Sequence, residues 1–255
     1  MPRYKIIIEY DGTNISGWQI QPDTSSIQQF IQDAIESFSQ EKIAIHAAGR
    51  TDAGVHATGQ VAHFDLKKNF PTHVVQSAIN YFLRPNLIVI ISCEIVDDSF
   101  HARFSAIKRH YRYEVLNRQA PAALGVNKMW HVREPLDMNA MQEAANILVG
   151  SHDFTSFRAA QCQGKSPLKT IDEISIYREG EKILFIVKAK SFLHHMVRNI
   201  VGTLILVGTG KWCVEDVHKA LEAKDRRQAG PTAPACGLYF TKIDYINSYH
   251  NQGSN

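Results

Sequence analysis

Hydrophobic and polar positions along this chain change period several times, and each change marks an element. Tyr4 to Tyr10 reads as a strand that ends at the turn signal Asp11-Gly12. From about Ser25 the period lengthens: Ile27, Phe30, Ile31, Ala34, Ile35 and Phe38 recur at helical spacing behind a Thr24 or Ser25 cap. Lys42 to Ala47 and Gln60 to Leu66 read as strands on either side of a turn-rich run. Pro71 opens another helix, with Val74, Val75, Ala78, Ile79 and Phe82 on its apolar face. Leu87 to Val96 is a continuous aliphatic run and predicts a buried strand.

The pattern then restarts. Arg109 to Leu116 predicts a strand, and Met138 to Val149 a helix capped by Asp137 and stopped by Gly150. Ile171 to Tyr177 and Ile183 to Lys190 predict a hairpin around Glu179-Gly180. Helices follow from about Leu193 and Val214, and Leu238 to Tyr245 closes as a strand. The two halves repeat a strand, helix, strand, strand order, with an echo between RYKIIIEY and RHYRYEVL. This mixture predicts an α+β fold of two similar lobes around a shared sheet. Residues 1–105 form the N-terminal lobe, 106–246 the C-terminal lobe and 247–255 a polar tail.

At 255 residues, 44% hydrophobic and 21% charged, the chain can bury a sizeable core. The opening MPRYKIIIEYDG runs straight into a strand pattern, so no secretory leader is expected. The most apolar helical stretch, Phe192 to Val207, is interrupted by His194, His195, Arg198 and Asn199, which argues against a membrane span. Cys93, Cys162, Cys213 and Cys236 lie far apart with no CxxC pair, as reduced thiols of a cytoplasmic protein would. A net charge of +3 announces no polyanionic partner by itself, but its distribution is uneven. Arg103, Lys108, Arg109, Arg112 and Arg118 crowd one segment among Phe104, Tyr111 and Tyr113. That mixture suits phosphate contact and base stacking, and equally an ordinary solvated surface.

The chemistry concentrates in Gly49 to Asp65, GRTDAGVHATGQVAHFD, where a lone acid, Asp52, sits in a turn-forming run. It is either a turn aspartate bonding its own backbone or a carboxylate nucleophile or base held on a loop. His46, His56 and His63 lack the spacing of zinc ligands. Hydrolytic glycosidases want two carboxylates, and no motif ties Asp65 or Glu9 to Asp52. No GxSxG elbow, P-loop or GxGxxG fingerprint occurs, so neither a serine triad nor a nucleotide cofactor is expected.

Four blocks carry a resemblance. GRTDAGVHATGQVAHFD, FHARFSAIKRHYRYEV, FLHHMVRNIVGTL and PACGLYF, in that order within Arg3 to Asp244, resemble the bacterial tRNA pseudouridine synthase A (TruA) family. The resemblance implies an isomerase that converts uridine to pseudouridine at positions 38 to 40 of the tRNA anticodon stem-loop, acting as a homodimer with no metal or other cofactor. It implies two RRM- or ferredoxin-like repeats sharing a mixed, largely antiparallel sheet, with helices on one side and the active-site cleft on the other.

It also implies roles for single residues. Asp52 is the nucleophile, attacking ribose C1′ or uracil C6, or else a base at C2′ on a glycal route. Each route needs an ionised carboxylate, a form that a nearby guanidinium favours, and Arg198 is that partner. Tyr111 stacks on the target base and assists proton transfer, Arg50 fills the place of the flipped nucleotide, and Leu238 packs against the uracil. Pattern alone makes Arg198 a snorkelling surface arginine, and Tyr111 and Leu238 core residues. Arg103, Lys108, Arg109 and Arg112 are expected to line part of an RNA groove. The alternative is a non-catalytic structured-RNA-binding protein, which leaves the Asp52 loop without a task. A ribonuclease using His110, His194 or His195 is a second rival.

Overall fold

The computed structural model describes residues 1–159, 162 and 166–246, so the tail expected at 247–255 lies outside the described residues. The first half runs β1 (Arg3–Tyr10), α1 (Ile27–Ser39), β2 (His46–Ala47), β3 (His56–Asp65), α2 (Thr72–Phe82) and β4 (Ile88–Val96). The second begins with β5 (Ala106–Asn117), β6 (Trp130–Val132), α3 (Met138–Ile147), β7 (Gly150–Asp153) and β8 (Leu168–Glu179). It ends with β9 (Lys182–Ala189), α4 (Met196–Gly208), α5 (Val214–Glu222) and β10 (Leu238–Tyr245).

Ten strands form one mixed sheet among the described residues, in the order β4-β1-β3-β10-β5-β9-β8-β7, with β2 added to β3 and β6 to β5. Its ladders are antiparallel except for β10 on β3 and β6 on β5. The first half sets its strands as β4-β1-β3-β2 and the second as β10-β5-β9-β8, the same relative order. The expected α+β repeat is therefore present. β10 joins the halves by pairing Tyr239 with His56 and Phe240 with Ala57.

Several boundaries differ from expectation for identifiable reasons. α1 starts one residue later than its expected cap allows, because Ser26 is the residue whose hydroxyl accepts from Gln29 N at 3.2 Å. The strand expected at 42–47 shrinks to β2. β3 starts at His56 rather than Gln60, since both β1 and β10 offer pairing edges there. The aliphatic run of β4 is an edge strand: Ile88 and Ile90 are buried, while Val89, Ile91 and Ile95 are exposed. On α2 only Val75 and Ile79 of the expected stripe are buried side chains.

One face of the sheet carries the helices. Tyr4, Ile6, Ile8 and Phe64 share a core with Ile27, Ile31 and Ile35 of α1 and Val75 and Ile79 of α2. Tyr113, Val115, Ile174 and Phe185 do the same with Met141 and Ala144 of α3 and Ile200 and Leu204 of α4. Each buried Val, Leu, Ile, Phe or Met among them contributes about 1.5–3 kcal/mol. The opposite face is a ladder of ion pairs, among them Lys5–Glu94, Lys108–Asp172, His110–Asp244 and Lys188–Glu173.

The resemblance places the cleft on the face away from the helices, and here the expectation is corrected. Tyr111 shares its face with Tyr113 and Val115, which pack under the helices, and it touches both core clusters where they meet. Arg198 comes from α4 itself. The residues expected to form it therefore lie on the helix-bearing face, where the cores of the two halves meet.

Candidate active site

The loop from Ala48 to Val55 carries Asp52 and is pinned from several directions. Ala48 N donates to Val61 O (2.8 Å), Trp18 N to Thr51 O (3.0 Å) and Gln60 Nε2 to Gly49 O (2.8 Å). The Tyr10 and Thr51 hydroxyls share a 2.7 Å bond. Gly17 adopts φ +90, and a Cβ there would lie 2.5 Å from Thr51 O, so only glycine lets this segment brace the loop. Asp52 O accepts from Val55 N to close a turn, but among the described residues the Asp52 side chain bonds no backbone group. Its carboxylate is directed at the other half of the protein.

There it meets three cationic or polar groups. Arg198 Nη1 lies 3.0 Å from Oδ2, His195 Nε2 3.2 Å from the same oxygen, and His194 Nε2 3.1 Å from Oδ1. Arg198 is itself held in place, its Nε donating to Ala233 O at 2.8 Å and its carbonyl accepting from Ala233 N at 3.1 Å. Arg226 anchors that segment, donating to Asn199 Oδ1 and Thr232 Oγ1 at 3.1 Å each and to Gly230 O at 2.9 Å. Asn199 is fully buried and donates to Phe157 O at 2.8 Å. The aim of Arg198 is thus set from below by a satisfied polar network.

The two histidines converge through a backbone device. His195 sits at φ +62 as the cap of α4, an uncommon conformation for a residue with a side chain. That turn also explains why α4 starts at Met196 rather than near Leu193. The rings stand 4.0 Å apart against one carboxylate. Burial lowers the His195 pKa, and the charge of Asp52 opposes that shift. Asp52, His194 and His195 bring three potential metal-ligand atoms within 4.8 Å of one another. The guanidinium on Asp52 Oδ2 already supplies positive charge there, which opposes a metal cation.

Tyr111 on β5 is half-buried beside the loop. Phe240 stacks on its ring at 4.7 Å and Phe192 meets it edge-on at 5.1 Å. Burial pushes its hydroxyl well above the ordinary phenol range, with smaller additions from Tyr10 and Asp52, so it is protonated at neutral pH. Leu238 is buried opposite Tyr113. Arg50 is exposed and bonds to no described residue.

The four basic residues expected in the RNA groove do not lie together. Arg103 is exposed. Lys108 and Arg112 project from the face opposite Tyr111, paired with Asp172 at 3.1 Å and Glu114 at 2.9 Å. Arg109 is a knot between segments: its guanidinium donates to Ala48 O, Arg103 O and Lys190 O. Sequence reasoning gave His194 and His195 a part only as the acid and base of a rival ribonuclease, not beside Asp52, and gave the Arg226–Asn199 network none. The doublet was visible in FLHHMVRN, but its convergence depends on a backbone torsion that no spacing reveals. His56 holds loops elsewhere, accepting from Gly12 N at Nδ1 (3.0 Å) and donating from Nε2 to Asn127 O (2.9 Å).

Comparison with known proteins places this chain in a family. A profile of tRNA pseudouridine synthases matches residues 6–105 and 144–246. A relative from Paramagnetospirillum magneticum named tRNA pseudouridine synthase A is 51% identical over 253 residues, covering 99% of this chain and 99% of its own length. One of the same name from Afipia carboxidovorans is 50% identical over 245 residues, covering 96% of this chain and 100% of its own.

Proposed function

This chain belongs to the tRNA pseudouridine synthase family and is an isomerase, and from that premise we propose that it converts uridine to pseudouridine at positions 38 to 40 of the tRNA anticodon stem-loop, with Asp52 as nucleophile. The observation that carries the reading is the Asp52 carboxylate, directed from a pinned loop of one half onto the Arg198 guanidinium of the other. The reaction breaks the bond from uracil N1 to ribose C1′, turns the base and joins C5 to C1′. The proton on C5 leaves and N1 gains one, so neither water nor an electron is consumed. One carboxylate suffices, attacking C1′ or C6 and departing when the new bond is complete.

The neighbours take complementary parts. Arg198 fixes the carboxylate, and Tyr111 offers the flipped base an aromatic surface and a phenol for proton transfer. Leu238 forms an apolar wall. Extruding a nucleotide costs on the order of a few kcal/mol, and Arg50, which no other described residue holds, enters the vacated place and grips phosphate. Residues 1–105 form the lobe that brings the acid, and 106–246 the lobe that completes the site. The reading extends to a homodimer and a cytoplasmic location, both through likeness to the family. Among the described residues, no helix is long and apolar enough to cross a membrane.

Tritium release from C5-labelled uridine in an anticodon stem-loop tests the proposal. The native protein should release it, and Asp52→Ala should lower the rate by at least about 10³-fold while RNA binding persists. Undiminished release by Asp52→Asn removes Asp52 from the mechanism. RNA cut to fragments on a denaturing gel would favour a ribonuclease instead.

A further inference from the structure

The turn from His101 to Ser105 presents two side chains that the fold leaves on the surface. Phe104 is 75% exposed. Arg103 beside it is exposed too, its guanidinium 5.6 Å from the Phe104 ring centre and paired with no carboxylate among the described residues. The turn beneath them is rigid. His101 N donates to Ser105 Oγ and Ser105 N to His101 O, each at 2.9 Å, while His101 Nδ1 accepts from Arg103 N at 3.1 Å. Ala102 is fully buried, its N–H donating to His63 Nδ1 at 3.2 Å and its carbonyl accepting from the Tyr245 hydroxyl at 2.8 Å.

Rings back the exposed phenylalanine. His101 lies 4.4 Å from it, His63 4.7 Å from His101, and His46 5.1 Å from His63. A lone surface phenylalanine needs no explanation. One fixed on a braced turn, with an unpaired guanidinium beside it, makes a preorganised seat for a flat group carried on an anionic backbone. The turn is also tied to the catalytic loop. Arg109 Nη2 donates to Arg103 O at 2.8 Å and to Ala48 O at 3.0 Å, and Ala48 stands two residues from Arg50.

We propose that Phe104 and Arg103 form a stacking platform for an unpaired nucleobase of the substrate RNA, with Arg103 on the adjoining phosphate. The inference rests on the proposed function and adds a second point of contact beside the reacting nucleotide. Stacking on an aromatic face tolerates any base, so the platform holds the RNA without selecting its sequence. The braced turn means that little ordering remains to be done on binding.

The test compares Phe104→Ala, Phe104→Leu and Phe104→Trp in the full-length protein, read by affinity for an anticodon stem-loop RNA. Quenching of 2-aminopurine placed at each loop position in turn gives a second reading. Ala and Leu should weaken binding on the order of tenfold and abolish quenching at one position, raising KM far more than they lower kcat, whereas Trp should preserve both readings. Wild-type affinity in Phe104→Ala overturns the platform. Wild-type affinity in Phe104→Leu does so as well, because apolar area would then suffice. A change of oligomeric state in Phe104→Ala with RNA affinity intact assigns the turn to a protein contact and also overturns it. Failure of the native protein to make pseudouridine in the same RNA refutes the proposed reaction, while the affinity series still decides the platform.

Discussion

The two halves share one topology and differ in their connections. Between β2 and β3 the first half runs from Ala48 to Val55 and carries Asp52. Between β8 and β9 the second half turns on Gly180 and Glu181 alone. The contrast reverses at the next link. From β9 to α4 the second half supplies His194 and His195 and leads into Arg198, whereas the first half joins β3 to α2 through Leu66 to Pro71, with no group at Asp52. Each half elaborates a different connection, and the two elaborations converge on one carboxylate. A repeated frame thus makes an asymmetric site, because chemistry resides in the loops that the frame positions.

Equal damage to the two unequal turns should break the comparison with the largest effect. Inserting Gly-Ser after Gly49 displaces Asp52 from Arg198 and should cut pseudouridine formation by more than about 10²-fold. The same insertion after Gly180, where a Cβ would meet nothing within 4 Å, should leave the rate within about twofold. Similar losses at both turns would mean that the short hairpin also shapes the site. Arg198→Lys sharpens the second elaboration. The guanidinium bonds Ala233 O through Nε and Asp52 Oδ2 through Nη1, whereas a lysine has a single nitrogen on a flexible stem and loses that two-point hold. Single-turnover rates should fall about 10²-fold, with tRNA affinity little changed. A parallel fall in affinity would make Arg198 an RNA contact.

Much of this frame was legible from period alone. β1 and β10 were readable because their sequences alternate or cluster between clear turn signals, and α3 because Asp137 caps it in the expected way. β4 was readable as a strand but not as an edge, since an aliphatic run looks alike in either place. β6 and β7, of three and four residues, are too short to show a period. Asp52 stood out in its turn-rich run, but Arg198 was marked only by family resemblance, because a helical wheel cannot say which carboxylate an arginine meets. The separation of Lys108 and Arg112 from Tyr111 was present in the alternation of β5. Arg109 was not readable as a knot, since its partners are carbonyls of three distant segments.

The smallest effect distinguishes the imidazoles of the two halves. His194 and His195 face a carboxylate, whereas buried His63 accepts from Ala102 N and lies against His101 and His46. Burial, reinforced by those two rings and Arg3, pushes the His63 pKa down from 6.5 to about 4. The unfolded chain therefore binds this proton more readily than the folded one. The stability that His63 contributes as a neutral acceptor is complete above its unfolded value, and it is lost as pH falls from about 6.5 through 4. The loss should reach on the order of 2 kcal/mol, superimposed on that of the carboxylates. Asn at this position keeps an acceptor for Ala102 N and has no proton to gain. Urea unfolding at pH 7 and pH 4.5 should show a smaller acid-induced loss in His63→Asn than in the native protein, whatever their difference at pH 7. Equal losses would mean that His63 gains its proton without cost in the folded state, and the contrast between a structural cluster in one half and a carboxylate-facing pair in the other would fail.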